Sequence, residues 1–208
     1  MQVSKKNRTF ACLYVAKIMK LLKLILFPLA LLSLASCQRT SAPKQYGYFR
    51  IAVPDTAYAA WHLEGYPYSF LLSKNAEVKP HAFEGENYWI DIVYPSLNAT
   101  VYCSYKPIRN NLRGLSRDAQ EFVFRHSRVA SAIPVQEYAD NERKMFGLYY
   151  ELQGDVASPI QFILTDSIQH FFRASVYCNA VPNQDSLAPI YDYIREDIRV
   201  MIESMEWK

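Results

Sequence analysis

Glycine is scarce in this chain: six in 208 residues, each isolated from the others. No run of glycines can close around a phosphate, which removes the support for a P-loop or a dinucleotide fingerprint. Histidine is as sparse. His62, His81, His126 and His170 stand far apart, with no second His or Cys at metal-ligand spacing, so a zinc site has no support either. No Gly-x-Ser-x-Gly elbow occurs, and no cysteine carries a protease-like local signature. Long apolar runs are missing too. The apolar stretch at residues 24–35, "LILFPLALLSLA", would rise only ~18 Å as a helix against ~30 Å of hydrocarbon. Acidic residues are absent from residues 1–36, which hold six of the 23 basic ones: Lys5, Lys6, Arg8, Lys17, Lys20 and Lys23. The formal charge of +3 therefore belongs to the leader, and residues 37–208 carry 17 basic against 20 acidic groups, a formal −3. A nucleic-acid partner loses its main support.

What is present at the N-terminus is a processing signal. A basic start, a short apolar middle weakened by Pro28 and a small-residue end read as a secretory leader. The end, Leu34-Ala35-Ser36-Cys37, resembles the lipobox of bacterial lipoproteins. That resemblance implies alkylation of the Cys37 thiol by diacylglycerol, cleavage before it, and acylation of the new amine. A thiolate suits the step as a good nucleophile, and two or three chains anchor far more firmly than one. A normally proportioned leader starts at Met19, which is therefore a candidate true start. The expected organisation is a signal peptide over 1–36, a lipidated cysteine and polar tether over 37–46, and one domain over 47–208. The eight residues 38–45, "QRTSAPKQ", reach at most ~28 Å, so the domain sits close to a membrane.

Of the four cysteines, Cys12 falls in the leader and Cys37 at the lipid site. Cys103 and Cys178 would occupy an oxidising compartment and are a candidate disulfide. A bridge between two strand residues needs adjacent strands and matching register; without these, both are small buried hydrophobes.

The domain pattern predicts α+β with a largely antiparallel sheet. Strands are expected over 48–53, 68–73, 89–94, 100–105, 133–138, 145–152, 159–166 and 170–178, where aromatic and β-branched residues alternate between turn formers. The last two are joined by a short polar turn and read as a hairpin. A mid-chain helix is expected from the apolar steps Leu112, Leu115, Ala119 and Phe122. A C-terminal helix carries the stripe Leu187, Ile190, Ile194, Ile198, Met201, Ile202 and Met205, opposite a wet face of Asp192, Arg195, Glu196, Arg199 and Glu203. Asp185 or Ser186 can cap it, with Pro189 in its first turn. Both helices would pack on the sheet. The order loosely resembles the PsbP-like α/β/α sandwich.

Arg109, Arg113, Arg117 and Arg125 recur at multiples of four residues. They form either a solvated face, with Glu121 between Arg117 and Arg125, or a surface for an anion such as a lipid headgroup or an acidic partner. Tyrosine is abundant at sixteen residues. Such rings finish a core or furnish a contact surface for protein or glycan.

Specific strings narrow the choice. "GYFRI" (47–51), "YPYSF" (66–70), "SYKPI" with "NNL" (104–112), "FFRASVY" (171–177), "VPNQDSLAPI" (181–190) and "MEWK" (205–208) resemble the gliding motility-associated lipoprotein GldD family, in motif order over residues 47–208. The cysteines at 103 and 178 stand where the family's strand motifs carry other residues. The resemblance implies a non-enzymatic lipoprotein of the gliding apparatus and its associated type IX secretion machinery, with protein partners there. It implies no cofactor, no small-molecule substrate and no catalytic residue. "CQRTSAPKQ" lacks the acidic residues that mark surface export in such bacteria, which points to the periplasmic face of the outer membrane. The alternatives are a lipoprotein that binds peptidoglycan or another envelope glycan, and a periplasmic hydrolase with an unrecognised site.

Overall fold

The computed structural model describes residues 19–20, 51–81 and 84–208. Cys37, the tether at 38–45 and residues 48–50 of the first expected strand lie outside them. The chain separates between Gly47 and Tyr48, and the fold below is that of the second unit. In order, the elements are β1 (Tyr58–Trp61), β2 (Tyr68–Ser73), β3 (Glu77–Pro80), β4 (Ile90–Tyr94), β5 (Ala99–Pro107), α1 (Leu112–Phe124), β6 (Val135–Asp140), β7 (Met145–Glu151), β8 (Ile160–Thr165), β9 (His170–Cys178), α2 (Gln184–Ser204) and β10 (Glu206–Trp207). Seven strands form one sheet in the order β3-β4-β5-β9-β8-β7-β6, and three form a second in the order β1-β2-β10. The pairings are antiparallel. The α+β reading stands: α2 and the small sheet cover one face of the large sheet, and α1 covers part of the other.

Alternation explains the layering. In β4, Ile90, Ile92 and Tyr94 point into the main core, while Asp91 and Val93 point away. In β5, Ala99, Val101, Cys103 and Tyr105 are inside, and Thr100, Tyr102, Ser104 and Lys106 are outside. β8 is buried along nearly its whole length because helices or loops cover both its faces. β9 changes along its length. Phe171 lies under α1 in the smaller core with Ala119, Val123 and Ile163. On the same face of β9, Arg173 and Tyr177 are half-buried and Ser175 between them is buried.

The two helices differ in detail from the sequence pattern. The stripe of α2 is buried as expected, with Ile194 and Met205 fully so, and each large aliphatic contributes about 1.5–3 kcal/mol of burial. Its cap is Asn183, whose Oδ1 accepts from Ser186 N–H at 2.9 Å, in place of Asp185 or Ser186. That earlier start puts Pro189 in the second turn, where its missing N–H forfeits an intrahelical bond. In α1 the buried positions are Ala119 and Val123, with Leu112 and Leu115 packed beside them. Phe122, expected in the stripe, is 39% exposed.

Three short strands carried no readable alternation: β1, β3 and β10. The expected strand over 48–53 is not one at 51–53, where Ile51 instead packs against the core without strand pairing. β10 explains the terminal "MEWK" string. Glu206 pairs with Ser69 and Trp207 with Tyr68, Lys208 N–H donates to the Pro67 carbonyl at 3.0 Å, and the Trp207 ring stacks on His170 at 5.0 Å. The C-terminus thus clasps the small sheet to the large one. The β8–β9 hairpin forms as expected: Asp166 Oδ1 accepts from the N–H groups of Ile168, Gln169 and His170 at 3.0, 2.8 and 2.8 Å.

The disulfide expectation is corrected. Cys103 and Cys178 do lie on neighbouring strands, but Cys103 pairs with Ala174 and Cys178 with Ala99. The four-residue offset separates them by roughly 13 Å along the ladder, about twice what a bridge spans. Both are free thiols, and burial pushes each thiol upward in pKa.

Candidate functional site

Because α1 lies over β9, β8 and β7, the half of the outer sheet face made by β3, β4, β5 and the far end of β9 is left open. The side chains on it are those that alternation points outward: Asp91, Tyr102, Ser104, Arg173, Ser175 and Tyr177. A concavity of about 370 Å³ lies among them, also lined by His81 and Trp89. A second, of about 540 Å³, extends past Tyr102 and Tyr177 to the β4–β5 connection. That connection is a 3-10 turn over Pro95–Leu97 ended by Asn98 in the left-handed region (φ 49°). The Asn98 side chain ties it to β9 by donating to the Asn179 carbonyl at 2.9 Å.

Each wall is held from beneath. His81 Nδ1 and Asp91 Oδ2 are 2.9 Å apart, and the Trp89 indole N–H donates to the Tyr105 carbonyl at 3.0 Å. Tyr102 and Tyr177 meet edge to face with centroids 5.6 Å apart, a geometry that stabilises the pair beyond area burial alone. Tyr102 remains 45% exposed. Lys106 holds Glu86 at 2.6 Å at the far margin.

Arg173 stands at the step between the open face and α1, and it lines both the 370 Å³ concavity and one of about 290 Å³ beside the helix. Its guanidinium lies 4.2 Å over the Phe122 ring, which accounts for the exposure of that phenylalanine: the ring supports a cation instead of filling the core. Nη2 donates to Ser175 Oγ at 3.3 Å, and Nε is shut from solvent without an acceptor. Burial, with Arg125 nearby, holds the guanidinium below the usual arginine pKa.

The sequence-flagged arginines separate. Arg109 precedes α1, its N–H donating to Asn111 Oδ1 at 2.8 Å. Arg113 and Arg117 are exposed on the helix, with Arg117 3.7 Å from Asp118. Arg125 closes α1, pairs with Glu121 at 3.1 Å, and lies over the same Phe122 ring at 4.9 Å. Arg125 lines a concavity with Arg173. Arg173 belongs to no periodic set of cations in the sequence. The available signal was a lone cation at an outward position of an otherwise apolar strand, "HFFRASVYC".

His81 with Asp91 supplies two thirds of a hydrolytic triad, but among the described residues no serine, threonine or cysteine side chain bonds to His81. Nor do three metal-ligating side chains gather among the described residues. The tyrosines divide as a core-forming set and a surface set. Tyr68, Tyr94, Tyr105, Tyr150, Tyr191 and Tyr193 are buried, whereas Tyr88 and Tyr102 are exposed.

Comparison with known proteins agrees with the string resemblance. No curated protein matches the chain. Among solved structures, the solution structure of cyanobacterial PsbP (CyanoP) from Synechocystis sp. PCC 6803 is similar at a TM-score of 0.44 and 13% identity, covering 75% of this chain and 95% of that one. The family described as gliding motility lipoprotein GldD matches residues 38–207. That match takes in the whole domain and the residues just after Cys37, and the chain belongs to the gliding motility lipoprotein GldD family.

Proposed function

We propose that this protein is a non-enzymatic accessory component of the gliding and type IX secretion machinery. Lipid on Cys37 holds it at the periplasmic face of the outer membrane, and the open face of its large sheet engages a protein of that machinery. The observation that carries the docking reading is the composition of the face. Tyr102, Tyr177, Trp89 and Arg173 form a shallow concave patch, and aromatic residues with arginine are the side chains enriched at the centres of protein interfaces. The absence of acid in "CQRTSAPKQ" supports the periplasmic placement.

The test is co-purification from detergent-solubilised envelopes. Wild-type protein should capture a motility or secretion component, and the Tyr102→Ala/Tyr177→Ala variant should lose it while still unfolding in one cooperative transition, its melting temperature lowered only by the loss of the ring pair. Sedimentation of the wild type with murein sacculi, and no captured component, would favour the glycan-binding alternative. Cys37→Ala should leave an unprocessed precursor or a domain released from membranes; a processed, membrane-bound variant would refute the anchor.

A further inference from the structure

The other charged side chains lining the two concavities that Arg173 shares have partners within the domain: Asp91 has His81, Lys106 has Glu86, Asp118 has Arg117, and Arg125 has Glu121. Elsewhere, Arg143 and Arg195, with side chains 31% and 43% exposed, hold the carboxylates of Asp140 and Glu151. The other described arginines without a carboxylate within bonding distance, Arg109, Arg113 and Arg128, are exposed to water. Arg173 is half-buried and meets Phe122, Ser175 and the like charge of Arg125, with no carboxylate partner among the described residues. Burying a cation in this way is unfavourable unless an anion compensates it.

The immediate surroundings add to the deficit. Gln161, opposite Ser175 on β8, is 2% exposed and leaves both its amide nitrogen and oxygen unpaired. The Phe122 ring, 4.2 Å from the guanidinium carbon, limits the room in which that group can move. Nη1 has no protein acceptor among the described residues. Ser175 Oγ, as it accepts from Nη2, keeps its own O–H to donate.

We infer that Arg173 is an anchoring socket for a carboxylate of the partner protein: an Asp or Glu side chain that enters the concavity between Tyr102, Tyr177 and α1 and binds the Nη1–Nη2 end of the guanidinium, with the Ser175 hydroxyl as a further donor. Charge complementarity selects the occupant. A guanidinium fork fits carboxylate and phosphate alike, but among the residues lining this concavity the other basic group, His81, is already held by Asp91, so the single charge of Arg173 is balanced by a monovalent carboxylate and not by a phosphate. The aromatic margin fits a protein surface. The inference rests on the docking reading above and assigns its centre.

Two measurements on the full-length protein in detergent micelles test it. In the first, the arginine Nε–H resonances are followed by NMR while Ac-Glu-NH2, Ac-Gln-NH2 or inorganic phosphate is added, with Arg173 assigned from its absence in Arg173→Lys. The socket predicts a saturable shift of the Arg173 signal with Ac-Glu-NH2 and a far weaker one with Ac-Gln-NH2. No saturation, or tighter binding of phosphate, overturns it. In the second, capture of the component that co-purifies with wild type is compared across variants. Arg173→Gln should weaken capture by about tenfold or more, and Arg173→Lys should retain part of it. If Tyr102→Ala/Tyr177→Ala abolishes capture while Arg173→Gln leaves it intact, the socket is wrong and the docking face stands. If neither variant alters capture, both readings fall. The wild-type titration decides the socket should Arg173→Gln fail to fold.

Discussion

Asp197→Asn should stabilise the protein at neutral pH, which is unusual for a change at a buried hydrogen-bonded residue. Asp197 lies on the inner side of α2 and is 4% exposed. Its Oδ1 accepts from the Tyr58 hydroxyl at 2.8 Å, and its Oδ2 is buried without a hydrogen-bond partner. Burial raises its pKa above the usual carboxylate value, opposed by the hydroxyls of Tyr58, Ser73 and Tyr94. Those of Ser73 and Tyr94 act on the charge but do not reach bonding geometry at Oδ2. A carboxyl that binds its proton more tightly when folded contributes most stability below its unfolded pKa, and loses that contribution as pH rises through the folded one. At pH 7 the ionised form is therefore a net cost. Asn keeps the acceptor for Tyr58, replaces the orphan oxygen by a donor facing the Ser73 and Tyr94 oxygens, and removes the charge. An unpaired buried polar atom costs about 1–3 kcal/mol, so a gain near the lower end corresponds to about 2–4 °C in Tm for a domain of this size. Thermal melts of Asp197→Asn and wild type at pH 7 and pH 4.5 check this. The gain should be larger at pH 7. A variant that is destabilised, and more so at pH 7 than at pH 4.5, would show that the ionised carboxylate is itself stabilising and that the sign is wrong.

Three further changes probe separate parts of the fold. Gly147→Val in β7 should destabilise by more than about 3 kcal/mol in urea unfolding, because a Cβ there meets the Ile163 carbonyl oxygen and lies 2.7 Å from Leu164 Cδ2; an unchanged midpoint would mean that β7 and β8 pair in another register. Adding a reductant should leave Tm unchanged, and Cys178→Ser should shift stability by less than about 1 kcal/mol, since the two thiols are out of register; a fall in Tm on reduction would contradict that pairing. Asn183→Ala should cost about 1 kcal/mol through loss of the α2 cap, whereas an equal loss on replacing Ser186 with its backbone N–H retained would move the cap elsewhere.

The long, strongly patterned elements were legible in the sequence. β2 and β9 begin and end where their aromatic alternation does, and the stripe of α2 recurs at helical spacing because one face must be buried. The sequence alone also determined the family, through its strings, and the acidic balance of residues 37–208. Short strands were not legible. "EVKP" and "YAAW" have no alternation of their own and become strands only because β4 and β2 offer unpaired edges. "YFRIAV" has the alternation but no pairing at its described residues. Helical period sets Asp197 three residues after Ile194 and four before Met201, at the margin of the stripe; that this carboxylate is buried and bonded depends on the arrival of Tyr58 of β1 against that flank.

Tertiary structure alone decided the candidate site. Periodicity states that Arg173, Ser175 and Tyr177 share one face of β9. Whether that face is covered depends on where α1, some fifty residues earlier in sequence, comes to rest. Long-range packing covers Phe171, turns Phe122 outward and leaves Arg173 at the margin. The same long-range register holds Cys103 and Cys178 apart. A sequence records local period and chemical type, whereas the pairing of one unpartnered cation with an open concavity is a product of contacts between elements distant along the chain.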